Sequence, residues 1–198
     1  LAVMKLYDNG KFGLTDRVSD YIPVLKGTGK ERITIEELLM HQSGLPAFWP
    51  FYKKAIDEES YTGAFYRTRP DAGHHRQIDT RLFVIDHFGY KKELVSKVFS
   101  SDYPLLVSDS MYLHRSFRDS VLQQVAGVPL KDRRYRYSDL NFILLREIVE
   151  NITKIPMNIF LQKEFYKPMK MEHTLFLPLR RFAKDEIVPT VTVSYTHL

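Results

Sequence analysis

A chain of 198 residues with 44% hydrophobic content is long enough for one domain or a large part of one, and too apolar for a disordered segment. It holds no cysteine, which excludes a disulfide framework, a thiolate metal site and a cysteine nucleophile. The net charge is +5, yet the positive residues are spread among 24 acids, and the one dense basic run (Lys131, Arg133, Arg134 and Arg136) sits in no nucleic-acid motif, so no nucleic-acid partner is expected.

The chain opens at Leu1 inside an apolar helical pattern of Leu1, Val3, Met4, Leu6 and Tyr7, with no cap before it. Residues 1–9 read as the end of a helix closed by Gly10, and 11–23 as a connector with a short extended or turn segment. Residues 34–41 read as a short helix. Thr34 followed by Glu37 is a capping box, and Ser43, Gly44 and Pro46 stop it. Residues 47–115 carry no strong period; 83–85 and 105–107 are the best strand candidates. Residues 116–126 predict a helix capped by Ser116 and Asp119, with an apolar stripe of Phe117, Val121, Leu122 and Val125, ended by Gly127. The strongest helix spans 140–152, where Leu140, Leu144, Ile148 and Ile152 recur every four residues. Pro156 suits the first position of a further helix that Pro168 ends. Charges interrupt every apolar run, so no integral membrane segment is expected.

Few residues point to chemistry. The seven histidines (41, 74, 75, 87, 114, 173 and 197) lack helical zinc spacing, and no metal or other cofactor is expected. Ser43 follows Gln42 and a helix instead of the strand and glycine of a nucleophile elbow, and reads as a turn residue. The 26–29 stretch, Lys-Gly-Thr-Gly, has neither the Walker nor the Lys-Thr-Gly order and reads as a solvent loop. Tyr137, Ser138 and Asp139 directly precede the best helix, where first-turn N–H groups favour a negative oxygen. Two readings stand: Tyr137 as a base in a cleft, or Ser138 or Asp139 as an N-cap with Tyr137 as packing.

Four segments, in order, bear a family resemblance. NGKFGLTDRVSDYIP, ITIEELLMHQSGLP, YRYSDLNFILLREIVENITK and IFLQKEFYKPMKMEHTLF are similar to successive stretches of the serine β-lactamase-like family, which includes class C β-lactamases, D-alanyl-D-alanine carboxypeptidases and esterases. The 47–115 stretch matches none of its motifs and looks like an elaboration. The resemblance implies an α+β parent, a helical subdomain against an antiparallel sheet, of which these residues carry a mainly α-helical part. It implies acyl transfer through a Ser-x-x-Lys serine, with the Tyr-x-Asn tyrosine moving protons and a Lys-Thr-Gly or His-x-Gly strand binding substrate. Tyr137 matches that tyrosine, and Asp139 stands where Asn is commoner, adding a negative charge beside the expected lysine.

No Ser or Thr here has a Lys three residues on, and no Lys-Thr-Gly follows. Residues 1–192 are therefore expected to be an inactive internal part of such a domain, whose parent is a periplasmic or cell-envelope hydrolase of peptidoglycan peptides, β-lactams or esters. A non-catalytic binding module is the alternative. A cell-wall recycling enzyme, with this domain behind a glycoside hydrolase domain, is another parent. The last six residues, 193–198, resemble a reading frame of the transposase end used in sequencing libraries and are expected to be a non-native tail.

Overall fold

In the computed structural model, residues 1–60, 63–85, 88–108 and 110–188 are described; the expected non-native tail lies outside them. The chain starts with α1 (Ala2–Asp8), which buries Ala2 and Leu6 and ends at Asn9 before Gly10 in the left-handed region, φ +64°. A turn follows in which the Asp16 carboxylate accepts from Gly13 N at 2.8 Å and from the Tyr21 hydroxyl at 2.7 Å. The expected connector over 11–23 is thus partly helical: α2 (Val18–Tyr21) forms a single turn, because Val18 and Ile22 are drawn into the core while Asp16 braces Tyr21 from outside. Next comes α3 (Ile35–Leu39), whose predicted capping box is present: Glu37 N donates to Thr34 Oγ1 at 3.2 Å and Thr34 N to Glu37 Oε2 at 2.9 Å.

Residues 47–115 hold two small antiparallel sheets. In one, β1 (Tyr66–Arg67) and β2 (Arg76–Asp79) flank β3 (Leu82–Val84); in the other, β4 (Val95–Ser96) and β5 (Leu105–Ser108) flank β6 (Met111–Leu113). Both strand candidates from the sequence fall on strands, β3 and β5.

The chain then returns to helix with α4 (Ser116–Gly127). Ser116 is not its cap. The His114 ring takes that place, its Nδ1 standing 3.2 Å from Ser116 N. An imidazole acceptor two residues upstream reaches the free N–H better than the serine's own hydroxyl, which turns to the same Nδ1. Then α5 (Asp139–Thr153) runs the full length of its apolar period, capped by Ser138 and closed at Lys154 in the left-handed region. Pro156 stands one residue ahead of α6 (Met157–Leu161), outside the helix, with an extended ψ of 138°.

The helical core is assembled from the two ends of the chain, with the sheets outside it. Leu6, Val18, Leu25, Ile33, Ile35, Leu38 and Leu45 from the first stretch pack on Val125, Leu140, Leu144, Ile148, Val149 and Phe160 from the second. Each such side chain contributes roughly 1.5–3 kcal/mol by leaving water. The centre is α5, buried on most of its circumference, including Asn141, Glu147 and Glu150. Buried carboxylates need partners. Arg118 on α4 supplies them: its Nε lies 2.9 and 2.8 Å from the two Glu147 oxygens and its Nη1 2.9 Å from Glu150 Oε2. Glu150 Oε1 also accepts from Met157 N at 2.8 Å and so caps α6. At the other end of α4 the buried Lys30 donates from Nζ to the Ala126 carbonyl at 2.7 Å. Burial pulls that ammonium's pKa below its usual range, while the helix C-terminus favours its charge.

In the first sheet region the buried His74 has acceptors on both ring nitrogens, the Ala64 carbonyl at Nε2 and Asp71 Oδ1 at 2.7 Å from Nδ1. Only the doubly protonated ring donates to both, and the Ala64 carbonyl, then Asp71, raise its pKa above 6.5. The His74 bond in turn holds Asp71 below 3.8.

Two measurements follow. Arg118→Ala strands two buried carboxylates and is expected to cost about 3 kcal/mol or more in urea unfolding; a loss under about 1 kcal/mol would mean that water or Arg146 takes over. For His74, folding stability is fully present below pH 6.5 and is lost as pH rises through the raised folded value; for Asp71 it is present above 3.8 and lost as pH falls through the lowered one. Amide protection of residues 64–74, corrected for intrinsic exchange, should therefore peak between these limits. Flat protection on the alkaline side would exclude the charged ring.

Candidate functional site

The exit of α3 and the entry of α5 meet edge to edge. After α3 the chain turns at His41, a non-glycine residue at φ 55°, a conformation that histidine tolerates better than most side chains. The turn is held from the far segment: Arg136 N donates to the His41 carbonyl at 2.8 Å, Lys131 N to Gly44 O at 2.8 Å, and Asp139 N to Ala47 O at 2.9 Å. Gly44, at φ +77°, is packed so closely that a Cβ there would stand 2.6 Å from the Lys131 carbonyl oxygen. Glycine is required on both counts.

Beneath this seam lies a buried polar chain. Ser43 Oγ donates to Asn141 Oδ1 at 2.7 Å and accepts from Leu45 N at 3.2 Å. Asn141 Nδ2 stands 2.9 Å from His41 Nδ1, which also receives Ser138 N at 3.3 Å. With two N–H groups pointing at it, Nδ1 is the acceptor, and the proton of the neutral imidazole sits on Nε2. Ser138 Oγ donates to the Pro46 carbonyl at 2.6 Å and accepts from Leu140 N at 3.2 Å, so its hydroxyl is committed to capping α5. Neither buried serine is presented as a nucleophile.

Above the seam the two expected site residues are solvent-facing. Tyr137, 51% exposed, lies with its ring centroid 4.7 Å from that of His41 and 6.0 Å from Phe142. Tyr135 approaches the same imidazole edge-on at 6.2 Å. Asp139 is exposed and opens the first turn of α5, where the helix dipole favours a carboxylate. The surface thus combines a half-open phenol, an aromatic floor and a carboxylate at a helix N-terminus.

The sequence reading missed His41 and Asn141, which hold this arrangement from below. The available signal was Asn141 itself, a polar residue next to Leu140 and Leu144 in the apolar stripe of α5. A polar group there requires a buried partner. The basic run is paired with nearby acids: Arg133 with Glu37 at 2.8 Å, and Arg134 and Arg136 with Asp132. Among the described residues no group of three His, Cys, Asp or Glu side chains is placed to hold a metal ion, and no helix is long and apolar enough to cross a membrane.

Residues 1–186 match the family described as Beta-lactamase, and the chain belongs to that family. It is 25% identical over 194 residues to an N-acetylmuramyl-L-alanine amidase of Bacillus subtilis (strain 168), covering 93% of this chain and 32% of that protein. A relative from Salmonella heidelberg (strain SL476) that carries a D-alanyl-D-alanine carboxypeptidase name is also 25% identical, over 96% of this chain and 34% of its own length. The chain spans about a third of the length of these curated relatives. Among solved structures, EstCE1, a hydrolase with promiscuous acyltransferase activity, superposes with a TM-score of 0.45 at 19% identity, covering 85% of this chain and 34% of that one.

Removing the carboxamide tests the buried chain. Asn141→Ala leaves the Ser43 hydroxyl without its acceptor and His41 Nδ1 with Ser138 N alone, and should destabilise the chain by about 1–3 kcal/mol in denaturant unfolding. In the unaltered chain, nitrogen-15 NMR of His41 should show the proton on Nε2. A ring protonated on Nδ1 would contradict the bond pattern.

Proposed function

We propose that these residues are the tyrosine-bearing part of a serine hydrolase that transfers acyl groups from amide or ester bonds, with Tyr137 as the proton-moving group. The observation that carries the reading is the position of Tyr137: two residues ahead of the first residue of α5, half open, its ring resting on an imidazole whose orientation is fixed by Asn141 and Ser138. A general base needs a reachable side chain on a braced support; Tyr137 is half exposed, and the imidazole beneath it is held by Asn141 and Ser138. Family membership and the cell-wall names of the relatives favour peptidoglycan peptides, β-lactams or small esters as substrates, and a periplasmic or envelope location.

In this mechanism a serine attacks the carbonyl, a lysine one turn on shares its proton, and the Tyr137 oxygen relays that proton to the leaving group. Asp139 adds a negative charge that favours the protonated lysine and shifts the balance of proton transfer towards Tyr137. The serine and lysine are not among these 198 residues, so the chain alone supplies support and relay without a nucleophile. Residues 1–192 are then an internal part of the catalytic domain, with 193–198 a non-native tail. The variant in which the parent has lost its serine, a binding module on the same fold, differs in one respect: it would bind substrate without an acyl intermediate.

A fluorescent penicillin should not label the chain covalently; labelling of any serine in it would overturn the assignment of roles. In a parent that keeps Ser-x-x-Lys, Tyr137→Phe should lower the acyl-transfer rate about 10²–10⁴-fold with folding unchanged. Normal turnover by that variant would make Tyr137 a packing residue.

A further inference from the structure

Beside the two sheets lies a second feature, built from none of the residues around Tyr137. Ala55, Ile56 and Ile85 are buried there, outside the helical core cluster. Between the two sheets lies a cavity of about 500 Å³, walled by side chains that include Ile56, Phe65 and Ile85 on one side and Val95, Val107 and Leu113 on the other. Phe117, at the start of α4, also lines it. Among the described residues the wall carries no charged side chain, and its only polar side-chain groups are the hydroxyls of Tyr52 and Tyr90. Burial holds the Tyr90 hydroxyl above its usual pKa of 10.0, so it stays neutral.

The wall is fixed by backbone bonds that do not depend on an occupant. Asp57 N donates to Gly89 O at 2.9 Å, Lys91 N to Ala55 O at 2.9 Å and His114 N to Leu94 O at 2.9 Å. The aromatic side stacks edge to face, Tyr52 on Phe65 at 5.6 Å and Phe65 on Phe88 at 5.3 Å. The size falls within the roughly 300–1,000 Å³ of ligand pockets. The site is open to solvent, with Tyr52 and Val107 46% and 44% exposed, and an apolar guest would take this apolar surface out of water.

We infer that this cavity is a binding site for a single neutral alkyl or aryl molecule. Among the described residues no lining side chain offers a counter-charge, which disfavours a charged ligand. The two tyrosine hydroxyls suit one weakly polar end, such as an alcohol or an ester oxygen.

The test is a fluorescence titration of the 198-residue chain with the neutral arylamine N-phenyl-1-naphthylamine. One-to-one saturable binding is expected, with displacement by decanol. Decanoate, of equal chain length but charged at neutral pH, should need at least about tenfold more for the same displacement. Val107 lines the cavity yet is 44% exposed at its rim, so Val107→Asp is expected to leave circular dichroism and melting unchanged and to weaken probe binding at least about tenfold, whereas Val107→Leu binds normally. Unsaturable uptake, equal displacement by decanoate, or wild-type affinity in a folded Val107→Asp chain overturns the inference. The decanol and decanoate arms need no variant and decide the matter even where Val107→Asp fails to fold.

Discussion

The desolvation of α5 is the constraint on which the structure depends. A helix buried around most of its surface cannot leave Asn141, Glu147 or Glu150 to water. Each is satisfied from outside its own turn: Asn141 by the chain leaving α3, Glu147 by Arg118 on α4, and Glu150 by Arg118 and the first N–H of α6, with Arg146 beside it. Three polar side chains on one helix therefore position three other elements. The apolar stripe supplies most of the burial energy, and the polar groups decide which packing realises it.

This arrangement braces the candidate site although it sits on loops. The segment before α5 is stitched to the segment after α3 by three backbone bonds, and His41 is locked by its carbonyl above and its Nδ1 below. Tyr137 then rests on a support held from two sides. The sheets of 47–115 attach beside this seam through Pro46 and Ala47, whose carbonyls accept from Ser138 and Asp139.

Legibility in the sequence followed the range of the interaction that decides each feature. The α5 period and the Thr34–Glu37 box rest on contacts three or four residues apart, and both were plain in the sequence. The single turn of α2 was not, because its stability comes from Val18 and Ile22 entering a core that distant residues build. The His114 cap of α4 was hidden because an imidazole is not among the ordinary capping side chains. Tyr137 was singled out through resemblance, whereas spacing alone favoured packing. His41 and Asn141 are 100 residues apart, so their bond had no local signature beyond one polar residue in an apolar stripe. Ser43 read correctly as a turn residue, but its bond to Asn141 spans 98 residues and was invisible for the same reason.

The near contact at Gly44 has a further meaning. The Lys131 carbonyl fills the space where a methyl group would begin, so the separation between the two strands of the seam is set by an atom that is not there. Any replacement would wedge Lys131 outward and carry Arg136 and Tyr137 with it, since they hang on the same run of backbone. The depth of the tyrosine above its imidazole floor is in that sense gauged by hydrogen against carbon, and the position is closed to gradual drift: no side chain is small enough to serve as an intermediate step.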